Sequence, residues 1–269
     1  MTRLAVIGAG VMGEALVSGL LRGGWSSDDI VVADRREFRR AEMTAAHGIA
    51  AAEHNADAAA QADTVILVVK PQDVPAVLPD IAPVLRPGAL LVSLCAGVTT
   101  KALESHLPAG TPVVRVMPNT PALVSEGMAA VSAGSSASDD DVAHALELMQ
   151  ALGKAITVPE AYQDAVTAIS GSGPAYLFFV VEAMIDAGVM LGLPRDISTT
   201  LVNQTMFGSA KLLIESGQHP TVLREQVTSP GGTTAAALRQ LEDHRVKAAF
   251  ITAMEAARDR SRALAGPAT

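Results

Sequence analysis

Three glycines near the start of the chain carry the clearest chemical signal. Gly8-Ala9-Gly10-Val11-Met12-Gly13 fits the spacing G-x-G-x-x-G. It follows the apolar run Leu4-Ala5-Val6-Ile7 and opens a helical pattern. In that context the first glycine permits a tight turn. The second lets the backbone approach a pyrophosphate, and the third allows close helix–strand packing. The helix start then offers unpaired N–H groups and a positive dipole end to phosphates.

The second signal is Ala33-Asp34-Arg35-Arg36, at the end of the next apolar run. An acidic residue there ordinarily accepts a bond from the ribose 2′-hydroxyl of NAD, while arginines there accommodate the 2′-phosphate of NADP. This chain has both. Two adjacent guanidiniums pair well with a phosphate dianion, which favours NADPH. Asp34 leaves NADH open.

No Ser/His/Asp arrangement and no metal-ligand spacing stands out. The six histidines are scattered and read as surface or capping residues. A nicotinamide enzyme needs no metal, because its cofactor carries the hydride. It needs a substrate pocket and a hydrogen-bond donor. Two polar, glycine-rich segments interrupt the apolar second half: Ala168-Ile-Ser-Gly-Ser-Gly-Pro-Ala-Tyr176 and Val227-Thr-Ser-Pro-Gly-Gly-Thr-Thr-Ala235. Each precedes a predicted helix. Their N–H groups and hydroxyls could hold a carboxylate. The plainer reading is two helix caps with tight turns.

The elements that would position these residues follow from periodicity. Strands are expected at residues 3–7, 30–33, 63–69, 89–94, 111–117, 127–132 and 154–158. Continuous apolar runs such as Thr64-Val-Ile-Leu-Val-Val69 suit parallel strands covered on both faces. Helices are expected between them, including 139–152 with Ser138 as N-cap and three aspartates in its first turn. Beyond Pro159 only helices are expected, at 160–169, 174–191, 196–216, 221–226, 233–241 and 245–265. Alternation followed by helices alone predicts an α/β fold of Rossmann type over residues 1–159. An all-helical domain over 160–269 follows.

Composition sets the outer limits. The chain has 269 residues, 49% hydrophobic and 18% charged, which predicts a globular protein. Its net charge of −8 argues against a nucleic-acid partner, which needs a basic face. The lone Cys95 excludes an internal disulfide and suits a reducing, cytoplasmic setting. The apolar stretch Tyr176–Leu191 contains Glu182 and Asp186 and reads as a buried helix, not a membrane span. Leu177-Phe-Phe-Val-Val181 has no polar face, so a subunit interface is expected to cover it.

The chain resembles the pyrroline-5-carboxylate reductase family over essentially its whole length. The resemblance rests on Val227–Leu238, on Ser170–Tyr176, and on Val68-Val-Lys-Pro71, Ala96-Gly97 and Met117-Pro-Asn-Thr-Pro121, in that family's order. It implies a Rossmann domain followed by a helical dimerisation domain, with dimers that often assemble into decamers. It implies reduction of L-1-pyrroline-5-carboxylate to L-proline, a small-molecule substrate, by NADPH or NADH. By resemblance, Ile7, Gly8, Ala9, Gly10, Val11 and Met12 hold the pyrophosphate, with Gly13 closing the turn. Arg35 lies near the adenosine phosphate beside Arg36, and Asn55 contacts the cofactor. Val69, Lys70, Pro71, Ala96 and Gly97 line the path to the nicotinamide. Glu160 and Gln226 match positions near the substrate, Gln226 where some members carry asparagine. Gly232 and Thr233 would hold the carboxylate, and Thr234 the ring nitrogen as the catalytic donor. Asp34 departs from members with a small polar residue there.

Two other readings share the first half. A 3-hydroxyacid dehydrogenase-like reductase needs a lysine acid/base in the helical part, and Lys211 in Ala210-Lys-Leu-Leu is a poor match. A non-catalytic NADP-binding regulator has no need of the Ser229–Thr234 turn.

Overall fold

Buried apolar runs and glycine-bounded helices alternate to build one sheet. The structure, a computed structural model, describes residues 3–264. Residues 1, 2 and 265–269, at the outer ends of the two expected domains, lie outside that description. The elements of the first part are β1 (Leu4–Ile7), α1 (Val11–Arg22), β2 (Ile30–Ala33), α2 (Glu37–His47), β3 (Ala50–Ala52), α3 (Asn55–Ala59) and β4 (Thr64–Leu67). Then come α4 (Val74–Ile81), β5 (Leu90–Ser93), α5 (Thr100–Glu104), β6 (Val113–Met117), β7 (Gly127–Ala133), α6 (Asp139–Gln150), β8 (Gly153–Thr157) and α7 (Gln163–Val166).

The sheet order is β3-β2-β1-β4-β5-β6-β7-β8. Every neighbouring pair is parallel except β6–β7. Successive residues of each strand point to opposite faces. Leu4, Val6, Ile66 and Val92 accordingly enter one core with Leu16 and Leu20 of α1. Ala5, Ile7, Val65 and Leu67 enter the other with Leu78 and Ile81 of α4. Burial on both faces explains why the strands read as unbroken apolar runs. The expected cap of α6 is present as a reciprocal pair, Ser138 accepting from the Asp141 N–H and Asp141 from the Ser138 N–H.

Two compact units divide the described residues: 3–172 with 257–264, and 173–256. The second holds α8 (Gly173–Met190), α9 (Arg195–Ser216), α10 (Pro220–Gln226), α11 (Thr233–Asp243) and the start of α12 (Val246–Leu264). The expected last helix reached Ala265, which is outside the described residues.

Two expectations change. The plainer reading of Ser170–Gly173 is a capping turn before a helix. Residues Thr167–Gly171 instead form a π-helical turn, closed by the Ser172 N–H donating to the Thr167 carbonyl at 2.8 Å, and α8 follows directly. Ser170 also bonds back to the Val166 carbonyl, so its hydroxyl supports the helical turn and caps nothing.

Burial of 176–191 is not achieved within one chain. Phe178 is 67% exposed, Phe179 72% and Met190 88%. The helical run Glu160–Met190 is long and apolar enough to cross a membrane by length and composition alone. A helix apolar all round needs cover on every side, and the few helices of the second unit do not supply it.

Candidate functional site

The chain leaves β1 towards β2 and β3 on one side of the sheet, then returns to β4 on the other. Such a reversal opens a crevice at the carboxyl ends of the strands, where open α/β sheets bind ligands. A cavity of about 460 Å³ lies there. Its walls come from three strand ends: Gly8 and Gly10 after β1, Asp34–Arg36 after β2, and Val68–Lys70 after β4. Asn55, at the start of α3 and expected from the resemblance as a cofactor contact, lines it as well.

The glycines hold this mouth open in different ways. Gly8 has φ +111°, and a Cβ there would stand 2.5 Å from the Val68 carbonyl oxygen. A Cβ on Gly13 would stand 2.1 Å from the Gly8 carbonyl oxygen, so α1 starts where only glycine fits. A Cβ on Gly10 would meet nothing within 4 Å. Gly10 is also the N-cap of α1 and carries no side-chain cap. The first N–H groups of α1 therefore face open space beside a helix dipole, as a pyrophosphate requires. Cavity, uncapped helix and bare glycine together fit a dinucleotide.

Asp34 is the most engaged residue of the mouth. Its carboxylate is 7% exposed and accepts four bonds, all of 2.9 Å: from the N–H of Ala9, and from the N–H, Nε and Nη2 of Arg36. Burial pushes its pKa up, but Arg36 and the two backbone N–H groups outweigh this and hold it at about 2. A carboxyl held below its ordinary value of 3.8 contributes stability that is complete above about pH 4 and lost as pH falls through 2. The stability gap between the protein and Asp34→Asn, read from urea midpoints, is expected to close over that window. A gap that stays constant down to pH 2 contradicts the bonding described.

The other expected cofactor residues divide. Arg35, Arg36, Asn55, Val69 and Lys70 line the cavity, whereas Pro71, Ala96 and Gly97 do not. Ile7 and Ala9 are fully buried. The Ala9 peptide is fixed on both sides, its N–H by Asp34 and its carbonyl by Arg39 Nε at 2.8 Å. Arg39 was not foreseen. Its signal is helical spacing, since it sits on the turn of α2 that follows Arg36 and also pairs with Glu14 of α1. Asp73, Ala76 and Val77 were missed as well. Pro71 starts a short helical turn that runs into α4, and this returns those residues to the strand ends.

Glu160, expected near the substrate, is tied into the chain by three bonds. Its Oε1 accepts the Thr100 N–H at 2.7 Å and Arg115 Nη1 at 3.2 Å, and its Oε2 accepts the Thr100 hydroxyl at 2.6 Å. It pins the start of α5, just beyond Ala96-Gly97, to the buried Arg115 of β6. The Met117–Pro121 and Ser170–Tyr176 motifs meet through Asn119. Its Nδ2 donates to the Ser170 carbonyl at 3.1 Å, and its Oδ1 accepts the Met128 N–H at 2.8 Å.

The second unit presents its own polar turn. Ser229-Pro230-Gly231-Gly232 closes with the Gly232 N–H donating to the Ser229 carbonyl at 3.0 Å, and Gly231 takes φ +68°. Proline second and a positive-φ glycine third match a type II turn. Gly232 then caps α11 with no side-chain partner for the helix's first N–H groups. The hydroxyls of Thr233 and Thr234 have no partner among the described residues. The start of α11 therefore carries two hydroxyls beside uncapped N–H groups, groups that can donate to an anion. Gln226 is bonded to Gln218, its Nε2 donating to Oε1 at 2.9 Å.

Comparison with known proteins places these features in a family. Residues 160–264 match the model described as pyrroline-5-carboxylate reductase dimerisation, and residues 3–97 the model described as NADP oxidoreductase coenzyme F420-dependent. A pyrroline-5-carboxylate reductase of Corynebacterium melassecola is 44% identical over 98% of this chain and 99% of its own. The solved structure of such a reductase from Coxiella burnetii superposes with a TM-score of 0.93 at 35% identity, covering 98% of each chain. The Plasmodium falciparum enzyme, solved with NADP bound, superposes at 0.88 with 32% identity and the same coverage. The dimerisation match accounts for the bare apolar helices of the second unit by self-association. With the fold, the nucleotide crevice and nearly the full length in agreement, the chain belongs to the pyrroline-5-carboxylate reductase family.

Proposed function

We propose a division of labour for the reduction of L-1-pyrroline-5-carboxylate to L-proline by NAD(P)H, in which residues 1–159 hold the dinucleotide and residues 160–269 hold the substrate. The observation that carries it is the start of α11, where an uncapped helix end adjoins two threonine hydroxyls with no partner among the described residues. The helix start at Gly232 holds the substrate carboxylate through the N–H groups of Thr233 and Thr234, since the Gly232 N–H itself closes the turn onto Ser229. The Thr234 hydroxyl oxygen accepts a bond from the protonated ring nitrogen and so keeps the proton there. A protonated C=N carbon is already electrophilic, so no strong base is needed, and orientation does most of the work.

When bound, the reduced nicotinamide supplies the hydride. The Ile7–Gly13 turn holds its pyrophosphate on the first N–H groups of α1. Arg35, Arg36 and Asn55 take the adenosine end, while Val69, Lys70, Pro71, Ala96 and Gly97 border the nicotinamide end. Gln226 stands beside the substrate turn. Glu160 acts by position, fixing the start of α5. Dimers form through residues 160–269 and assemble further into decamers, and the enzyme works in the cytoplasm.

Thr234→Ala tests the assignment. Removal of the hydroxyl that bonds the reacting nitrogen is expected to lower kcat by about 100-fold. The Kd for NADPH, from nucleotide fluorescence, is expected to stay within about twofold, because Thr234 is not one of the residues that line the nucleotide cavity. Unchanged kcat and kcat/KM remove Thr234 from the mechanism.

A further inference from the structure

The sequence sets Asp34 against Arg35 and Arg36, since the carboxylate suits a ribose hydroxyl and the guanidiniums a ribose phosphate. The bonding around Asp34 resolves that conflict. A carboxylate offers about four lone-pair sites. Arg36 fills three of them and the Ala9 N–H the fourth. The backbone carbonyl of Asp34 is taken too, by Arg40 Nη1 at 2.8 Å. A ribose hydroxyl would have to displace one of these partners. Displacing Arg36 gives up a two-point charge-assisted contact, and displacing Ala9 frees the phosphate turn.

Arg36 is placed differently. It is 45% exposed at its side chain and lines the cavity. Its plane is set on one side by the two-point contact with Asp34. The Phe38 ring lies beneath it, 5.6 Å from guanidinium carbon to ring centroid. The Asp34–Arg36 pair is neutral as a unit. Arg35, exposed on the same wall and without a partner among the described residues, adds a net positive charge. A phosphate dianion gains from that wall, and an unphosphorylated ribose gains little.

We propose that Asp34 is a positioning residue and not a ribose ligand: it fixes Arg36 and the Ala9 turn, and Arg36 with Arg35 forms the subsite that selects the 2′-phosphate of NADPH. The proposal rests on the reading of this cavity as the dinucleotide site.

The test uses two non-reactive probes, 2′-phospho-ADP-ribose and ADP-ribose, titrated calorimetrically into the full-length protein. The quantity read is the ratio of their affinities, which a merely structural loss does not move. Wild type is expected to prefer the phosphorylated probe by at least about tenfold, the size of one charge-assisted contact. Arg36→Ala is expected to remove most of that preference, and an unchanged ratio overturns the proposal. Asp34→Asn is expected to weaken the phosphorylated probe at least as much as the other. A ratio that rises in Asp34→Asn overturns the proposal, because the carboxylate was then favouring the bare ribose. Arg35→Ala breaks no bond in the chain and guards against misfolding of the buried variant; its ratio is expected to fall, and an unaltered one overturns the shared subsite. If wild type binds neither probe, the cavity assignment itself fails, which no variant result can mimic.

Discussion

Gly10→Ala is expected to leave the fold intact and to weaken NADPH binding by at least about tenfold, while Gly8→Ala damages both. The two glycines sit two residues apart, yet their surroundings differ. A Cβ on Gly10 meets no atom of the chain within 4 Å, and the residue caps α1 in ordinary extended geometry at φ −72°. Alanine there costs the folded chain a few tenths to about 1 kcal/mol as a poorer N-cap. What it fills is the space before the first N–H groups of α1, where a pyrophosphate must come within hydrogen-bond distance. A methyl in that space displaces the phosphate or tilts it. The loss of one good charge-assisted bond, about 1.5–3 kcal/mol, corresponds to roughly 10- to 100-fold in affinity.

Gly8 is the contrary case. Its φ of +111° is one that side chains rarely adopt, and its Cβ would press on the backbone oxygen of Val68. Backbone cannot rotate away as a side chain does, so β1 and β4 must separate at their carboxyl ends. Strain of about 1–3 kcal/mol for the dihedral alone precedes the clash. Thermal melting and nucleotide fluorescence titration on both variants separate the effects. If Gly10→Ala binds NADPH as wild type does, the phosphate does not lie against that glycine, and the turn's role is structural only.

That turn was legible in the sequence because its requirements are local. A strand, three glycines and a helix lie within about twenty residues, and each glycine answers a constraint set by its immediate neighbours. The parallel strands were legible for a similar reason, since burial on both faces leaves an unbroken apolar run. β3 was not foreseen. Its three residues are all alanine, which carries little strand preference, and it forms only as an edge against Val31–Ala33 of β2. The π-helical turn at Thr167–Gly171 was hidden by glycines and serines that also suit a cap. Asp34 was ambiguous because its role depends on whether Arg36 turns back to it, a choice of rotamer and not of residue type. The substrate turn was visible as a polar island, but its opening by a type II turn became clear only with the positive φ of Gly231.

Glu160 shows the limit most sharply, and it carries the second large effect. Glu160→Ala is expected to destabilise the protein by about 3–5 kcal/mol, the cost of leaving a buried charge without its partner. The stranded group is Arg115, whose side chain is only 5% exposed and whose ion pair with Glu160 spans 3.2 Å. Thr100 loses its acceptors as well, at both the N–H and the hydroxyl. None of this is readable from spacing, because Glu160 lies 60 residues from Thr100 and 45 from Arg115 along the chain. The decisive comparison is with Glu160→Gln and with the double variant Arg115→Met, Glu160→Gln. Glutamine keeps an oxygen for Thr100 but no charge for Arg115, so it should fall between wild type and alanine. Removing the arginine as well takes away the stranded charge and should recover part of the loss, since replacing both partners of a buried pair is often close to neutral. Urea midpoints of the four proteins give the stability order, and steady-state kinetics at fixed folded fraction give the rest. A glutamate that contacts substrate would show the opposite pattern: stability near wild type, a raised KM for pyrroline-5-carboxylate, and no recovery in the double variant. The distances favour the structural order. The loop bearing Ala96 and Gly97 runs directly into α5, so loosening its anchor should also lower kcat, in proportion to the lost stability and not to the lost charge.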